Sequence, residues 1–192
     1  MNKFKSFLMT VLLLVMSIGL NAQPSKNEIT IEYGQFTVPQ FAYVFGGVFG
    51  VMFSLGHFSF ENTVMSGTIA CEYNRNVNDW FSYGGLGSFE YMTSDTYTTD
   101  SEGVKTYGDK FNLAAATVMP TAHFHWFRNP HFGMYSKVGA GVGLAFSSET
   151  SVFPAVQLSP VCIEFGGETL RGIAELGAGM QGIIVVGLKQ MF

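Results

Sequence analysis

From residue 28 onward the chain alternates between large apolar side chains and small or polar ones. Along residues 132–146, Phe132, Met134, Val138, Ala140, Val142, Leu144 and Phe146 share one side of an extended strand, with Ser136 the polar exception. Tyr135, Lys137, Gly139, Gly141, Gly143 and Ala145 share the other. Successive side chains of a strand point to opposite faces, so one face is a row of large apolar groups and the other is glycine with one lysine. A water-soluble sheet more often sets an apolar face against a fully polar one. This pattern suits an apolar face turned to hydrocarbon and a narrow interior.

Further segments repeat it. Residues 28–36 put Ile29, Ile31 and Tyr33 outward and Thr30, Glu32 and Gly34 inward. Residues 64–74 put Met65, Ile69, Cys71 and Tyr73 outward and Ser66, Thr68, Ala70 and Glu72 inward. Residues 80–92 put Phe81, Tyr83, Phe89 and Tyr91 outward, with Ser82, Ser88 and Glu90 inward. Residues 110–126 put Val118, Pro120, Phe124 and Trp126 outward, with Thr117, Thr121, His123 and His125 inward. Residues 154–165 read as a strand whose facing the alternation leaves open. Residues 172–178 and 182–192 complete a set of eight, with Glu175 and Lys189 inward.

After residue 22 no run of 18 apolar residues suggests a spanning helix. Hydrocarbon offers backbone groups no water, so a spanning sheet must close on itself. The fold class is therefore all-β: a closed, antiparallel, eight-stranded transmembrane β-barrel. Residues 74–79, 128–131 and 166–171 are short, turn-rich periplasmic links. Residues 37–63 and 93–109 are longer outer loops, and residues 147–153 and 179–182 the remaining outer links. Both termini then lie in the periplasm.

The first outer loop breaks the rhythm. Phe41, Val44, Phe45, Val48, Phe49, Met52 and Phe53 recur at helical spacing, with Thr37 placed to cap and Pro39 in the first turn. The spacing predicts an amphipathic helix over 38–54, weakened by Gly46, Gly47 and Gly50. Its apolar face needs cover from its own barrel, from the membrane interface or from a partner. Packing on its own barrel is the simplest of these.

The first residues read as targeting. Lys3 and Lys5 precede an apolar run over residues 7–20, and Leu20-Asn21-Ala22 supplies a small residue for cleavage. That order is a secretory signal peptide over 1–22, leaving a single-domain barrel over 23–192. Removing Lys3 and Lys5 leaves eight basic against fourteen acidic side chains, a poor balance for nucleic acid. Cys71 and Cys162 fall on the second and sixth strands, across the lumen from one another. Disulfide geometry spans only a few ångströms, so two free, buried thiols are expected.

The chain resembles the small eight-stranded outer-membrane barrels of Gram-negative bacteria, of the OmpX and OmpA barrel-domain type. The resemblance rests on the signal ending Leu20-Asn21-Ala22, the turn Asn76-Val77-Asn78-Asp79-Trp80, and the strand-turn-strand from Met119-Pro120-Thr121 through Phe132-Gly133-Met134-Tyr135-Ser136-Lys137. It also rests on the end of the chain, where Ile184, Val186, Leu188 and terminal Phe192 resemble a barrel-insertion signal. Gln190 departs from the apolar residue usual at the third position from the end. The resemblance covers nearly the whole of 23–192. It implies a bacterial outer-membrane location, lipid and lipopolysaccharide as surroundings, and the barrel-assembly machinery as a partner during insertion. It does not fix an activity, because barrels of this shape include adhesins, anchors and lipid-modifying enzymes.

Glu32, Glu72, Glu90, His123, His125, Lys137, Glu175 and Lys189 are the expected lumen network. An eight-stranded barrel is just wide enough for side chains to fill, and buried charges must pair. Four acidic against two basic residues leaves an excess of carboxylate. His123 and His125 share a face but lack a local third ligand, so they are read as part of a polar plug and not as a metal site. His57 lies near Ser54, Ser59 and Glu61, yet no Gly-x-Ser-x-Gly motif supports a nucleophile. The glycines of 139–143 lack the following helix of a phosphate loop and read as lumen spacing. The expectation is a monomeric, cofactor-free, non-enzymatic barrel with a structural or surface-interaction role. A small pore for ions or a hydrophobic solute, and a lipid-modifying enzyme, are the competing readings. A soluble lipocalin-like barrel would need polar outer faces.

Overall fold

The computed structural model describes residues 26–53, 58–99 and 104–192, with side chains from 47 to 60 outside that description. The chain folds as a closed antiparallel barrel in which each strand pairs with its neighbours in sequence and the last returns to the first. The strands are β1 (Asn27–Gln35), β2 (Phe58–Asn76), β3 (Phe81–Thr99), β4 (Lys105–Arg128), β5 (Phe132–Phe146), β6 (Thr150–Gly166), β7 (Leu170–Gly179) and β8 (Ile184–Met191). One helix, α1 (Val38–Phe53), joins β1 to β2. Closure is antiparallel, Glu28 opposite Met191 through Gln35 opposite Ile184. The Phe192 amide donates to Asn27 O at 2.9 Å and its carbonyl accepts from Asn27 N at 3.1 Å. Closure leaves no sheet edge where the eight strands all pair.

The alternation dictates which side chains go inside. Charged and polar groups occupy the inward parity, and Val118, Val142, Ile184, Val186 and Leu188 stand exposed on the outward one. The polarity of an ordinary soluble protein is thus reversed. Toward the helix end the interior becomes apolar, where Ala70, Leu86, Met119, Ala155 and Met180 cluster with Phe153 packed beside them. The Phe153 ring lies where a Cβ on Gly143 would stand, 2.2 Å from its nearest atom, so glycine here is what lets the ring fill the interior.

Four details differ from the reading of the sequence. Residues 93–109 are largely strand, because β3 runs on to Thr99 and β4 starts at Lys105. Thr and Tyr favour pleated pairing. Tyr97 and Tyr107 meet edge to face at 5.6 Å, and Asn62 of β2 donates to Asp95 of β3 at 3.0 Å. Ser66 is exposed instead of inward, since an irregularity between Met65 and Thr68 shifts the parity of β2. Gly67, at φ +73°, sits in it. Cys71 is exposed on the outward parity while Cys162 is buried, and both are free.

The fourth detail explains the strand whose facing could not be assigned. Ala155, Gln157 and Ser159 point in, and so do Cys162 and Glu164. The parity changes at Pro160, where the register slips against both neighbours. Proline lacks the N–H that a regular ladder would use, so a bulge forms there. Ser136, the polar exception on the outer face of β5, donates to Pro160 O at 2.8 Å.

Candidate functional site

The inward charges assemble at the end of the barrel where β1 begins and β8 ends (the terminal end), around two lysines. Lys137 of β5 is fully buried. Its Nζ lies 2.6 Å from Glu175 Oε2, 3.3 Å from Glu32 Oε1 and 3.6 Å from Glu72 Oε2. Glu72 Oε1 is in turn 2.9 Å from His123 Nε2. Lys189 of β8, also fully buried, donates to Glu164 Oε2 at 2.6 Å and stands 3.3 Å from Glu28 Oε2. Arg171 donates to Glu164 Oε1 at 2.5 Å and to the carbonyls of Asn129 and Pro130, each at 2.9 Å. Arg128 and Asn76 hold Glu28 Oε1 at 2.6 and 2.7 Å.

Tyr135 joins the two groups. Its hydroxyl donates to Glu175 Oε1 at 2.8 Å. Its ring carries Lys189 Nζ at 4.5 Å from the centroid and stacks on His123 at 4.9 Å and 14°. A buried cation over an aromatic face gains electrostatically. Among the described residues the lumen thus holds six carboxylates (Glu28, Glu32, Glu72, Glu90, Glu164, Glu175) and four fixed cations (Lys137, Lys189, Arg128, Arg171). Charge-assisted hydrogen bonds of this kind are the strong ones, and they fix side chains in place. Lys137 of β5 and Glu32 of β1 join opposite sides of the barrel.

The link between β7 and β8 also contributes to the interior. Residues 180–182 fold into the barrel, and Met180 and Gln181 are both buried. Gln181 N donates to Gln157 Oε1 at 2.9 Å, its side-chain amide donates to Glu32, and Thr68 donates to Met180 O at 3.2 Å. Residues 179–182 were read as an outer link, and nothing in their sequence says that they point inward.

Glu90 stands apart from the ion pairs. Its Oε2 accepts from Thr37 Oγ1 at 2.7 Å and from Thr68 Oγ1 at 3.1 Å. Thr37 is also the cap of α1. Its Oγ1 accepts from Gln40 N at 3.2 Å, while Gln40 Oε1 accepts from Phe36 N at 2.9 Å and Thr37 N at 3.3 Å, a reciprocal capping box. One threonine therefore starts the helix and fastens it to the lumen. Thr37→Ala is expected to cost about 1 kcal/mol from the cap alone. Chemical unfolding of wild type and variant side by side checks this, and an unchanged midpoint would show the cap to be dispensable.

The face of α1 that meets the barrel is the polar one. Thr37 and Gln40 are buried, and the Tyr43 ring packs at a tilt against Phe111 of β4 with centroids 5.3 Å apart. Phe41, Val44 and Phe45 are exposed, contrary to the expectation that they would pack on their own barrel. The cap and Glu90 draw the polar turn inward, which rotates these three away. Val48, Phe49, Met52 and Phe53 belong to the helix, with side chains outside the described ones.

All eight residues expected in the lumen are buried, and seven converge at the terminal end, with Glu90 alone under the helix. His125 sits 3.0 Å from Ser82 Oγ and 5.4 Å, ring to ring, from Tyr135, while His123 engages Glu72, so the two imidazoles serve different partners. Among the described residues no group of three His, Cys, Asp or Glu side chains converges in a metal-holding cluster. His57 and Ser54 lie outside the described residues. Glu28, Glu164, Arg128 and Arg171 are network members that the sequence reading did not include. Glu28 shares the parity of Thr30 and Glu32, so its signal was present. Glu164 was hidden by the bulge at Pro160, and both arginines fell in segments read as turns. Ile184, Val186 and Leu188 are outward and exposed, and Phe192 is half-buried where the barrel closes. Comparison with known protein-family models and with curated protein sequences finds no match.

Proposed function

We propose that this chain is a bacterial outer-membrane barrel that anchors surface elements and does not conduct. The observation that carries this reading is the reversed polarity of the wall: fixed ion pairs inside, large apolar side chains outside. On β5 the outward rings Phe132 and Phe146 are fourteen residues apart. For a strand tilted about 45° that is roughly 33 Å along the barrel axis, a membrane-scale span. At the terminal end Trp80, Phe81 and Phe124 pack with centroids 5.5 and 5.6 Å apart. Rings in this position suit an interfacial girdle. Membrane lipid and lipopolysaccharide are the surroundings, β8 with its terminal Phe192 is the segment offered to the assembly machinery, and the barrel acts as a monomer with no chemistry of its own.

The test is fractionation of cells producing the full chain, gel migration with and without boiling, and single-molecule conductance in a planar bilayer. Recovery in the outer membrane, heat-modifiable migration and no conductance steps are expected. Steady ion conductance would replace the anchor by a pore. A soluble protein without a mobility shift would sink the membrane reading.

A further inference from the structure

The wall of the barrel is far from level at its helix end. Pairing of β1 with β2 ends at Gly34 opposite Thr68, so residues 58–67 of β2 rise beyond β1. Pairing of β6 with β7 begins at Gln157 opposite Gly179, so residues 150–156 of β6 rise beyond β7. Ten extra residues on a tilted strand are a step of about 20 Å. The barrel therefore has a tall side, β2 to β4, and a low side, β7, β8 and β1. Helix α1 leaves the top of β1 on the low side and returns through β2.

The two sides differ in chemistry. The tall side carries Glu61 on β2 and Asp95, Lys105, Asp109 and Lys110 on the β3–β4 hairpin, with an ion pair between Lys105 and Glu61. On the low side, residues 33–46 and 176–188 contain no Asp, Glu, Lys or Arg. Ile183 and Ile184 are exposed there. Where the chain leaves β1, Phe36, Val38, Phe41, Val44 and Phe45 are exposed on the corner and the first turns of α1. The apolar outer wall thus runs without an intervening charge from the low strands onto the helix. The cap and Glu90 hold the polar turn of the helix toward the barrel, which leaves the apolar face outward.

We infer that the acyl chains of the outer leaflet climb the low side of the barrel and cover the exposed apolar face of α1, which makes the helix a lipid-embedded shelf. A helix that lies in an interface buries its apolar face at the boundary of headgroups and chains. Here the opposite face is turned into the barrel mouth. The tall, charged hairpin is then the element that stands in water. This inference rests on the membrane reading above, and its test separates the two.

The full chain with Cys71→Ser and Cys162→Ser is given a single spin label at Phe45→Cys, at Val118→Cys on the barrel wall, or at Lys105→Cys on the tall hairpin. Each is reconstituted into vesicles of phosphatidylcholine and phosphatidylglycerol, with heat-modifiable migration confirming the fold. Collision with oxygen and with a water-soluble nickel chelate is then measured. The shelf requires the label at 45 to match that at 118, oxygen-accessible and shielded from nickel, with 105 nickel-accessible. Nickel access at 45 with a shielded 118 would overturn the shelf and leave the barrel in the membrane. Shielding of 45 from both reagents would also overturn it, since a protein surface or a second copy would then cover the helix. Nickel access at 118 would overturn the membrane reading itself. A label at Val44→Cys repeats the measurement should the variant at 45 fail to fold.

Discussion

Lys137→Met is expected to lower the stability of the barrel by about 3–5 kcal/mol, the range for stripping one partner from a buried ion pair. The ammonium is the only fixed cation within 4 Å of Glu32, Glu72 and Glu175 among the described ion pairs. Removing it leaves three buried carboxylates, with Tyr135, Gln181, His123 and Thr121 to donate to them. The loss therefore comes less from forfeited attraction than from charge left uncompensated. That account has a second consequence. Adding Glu175→Gln to Lys137→Met removes one of the stranded charges and should restore part of the loss, so the two changes will not be additive. Urea unfolding of the reconstituted protein, followed by tryptophan fluorescence, gives all the free energies required. Equal stability of Lys137→Met and wild type would mean that water enters the lumen and screens the carboxylates. Lys137→Arg is no substitute, because a planar fork does not reproduce the donor geometry of a compact ammonium.

Most of this network could be read from the sequence because a strand has a period of two. Once Ile29, Ile31 and Tyr33 face out, Glu32 has to face in, and the same logic places Glu72, Lys137 and Lys189. The logic fails where the period fails. At Pro160 one bulge reverses the facing of Cys162 and Glu164, and the residues around it gave no consistent parity. On β2 the irregularity at residues 66–67 turned Ser66 outward. The β3–β4 hairpin was misread for a different reason: its Ser, Thr and Asp residues look like a loop by composition, while its Thr and Tyr pairs hold it as a ladder. The capping signal of α1 was explicit in Thr37 and Pro39, so the helix appeared where expected. Which face it would show to the barrel depended on Glu90, fifty-three residues away, and no local pattern carries that.

Gly34→Ala should be the most disruptive single methyl in the barrel wall. A Cβ built on Gly34 would stand 1.7 Å from the carbonyl oxygen of Gln181 and 2.9 Å from its carbonyl carbon. These are backbone atoms, so no change of rotamer relieves the clash. Either β1 bends away or residues 180–182 leave the lumen. The strand is paired on both sides, with Thr68 and with Val185, whereas the link depends on a few side-chain and backbone hydrogen bonds. The link should move. Gln181 then loses Glu32 and Gln157, and Met180 leaves the apolar cluster with Leu86 and Met119. Overpacking of this kind costs about 1–3 kcal/mol, and the lost hydrogen bonds add about 1 kcal/mol each. Gly87→Ala is the matched control, because a Cβ there meets nothing within 4 Å. It should stay within about 0.5 kcal/mol of wild type. Conductance provides a readout that stability alone does not. If the inward link helps to seal the barrel, Gly34→Ala should show small, irregular conductance steps in a planar bilayer while Gly87→Ala stays silent. A silent Gly34→Ala with the unfolding midpoint of the control would mean that the link does not press on β1. A destabilised but silent variant would assign the seal to the Lys137 and Lys189 network alone.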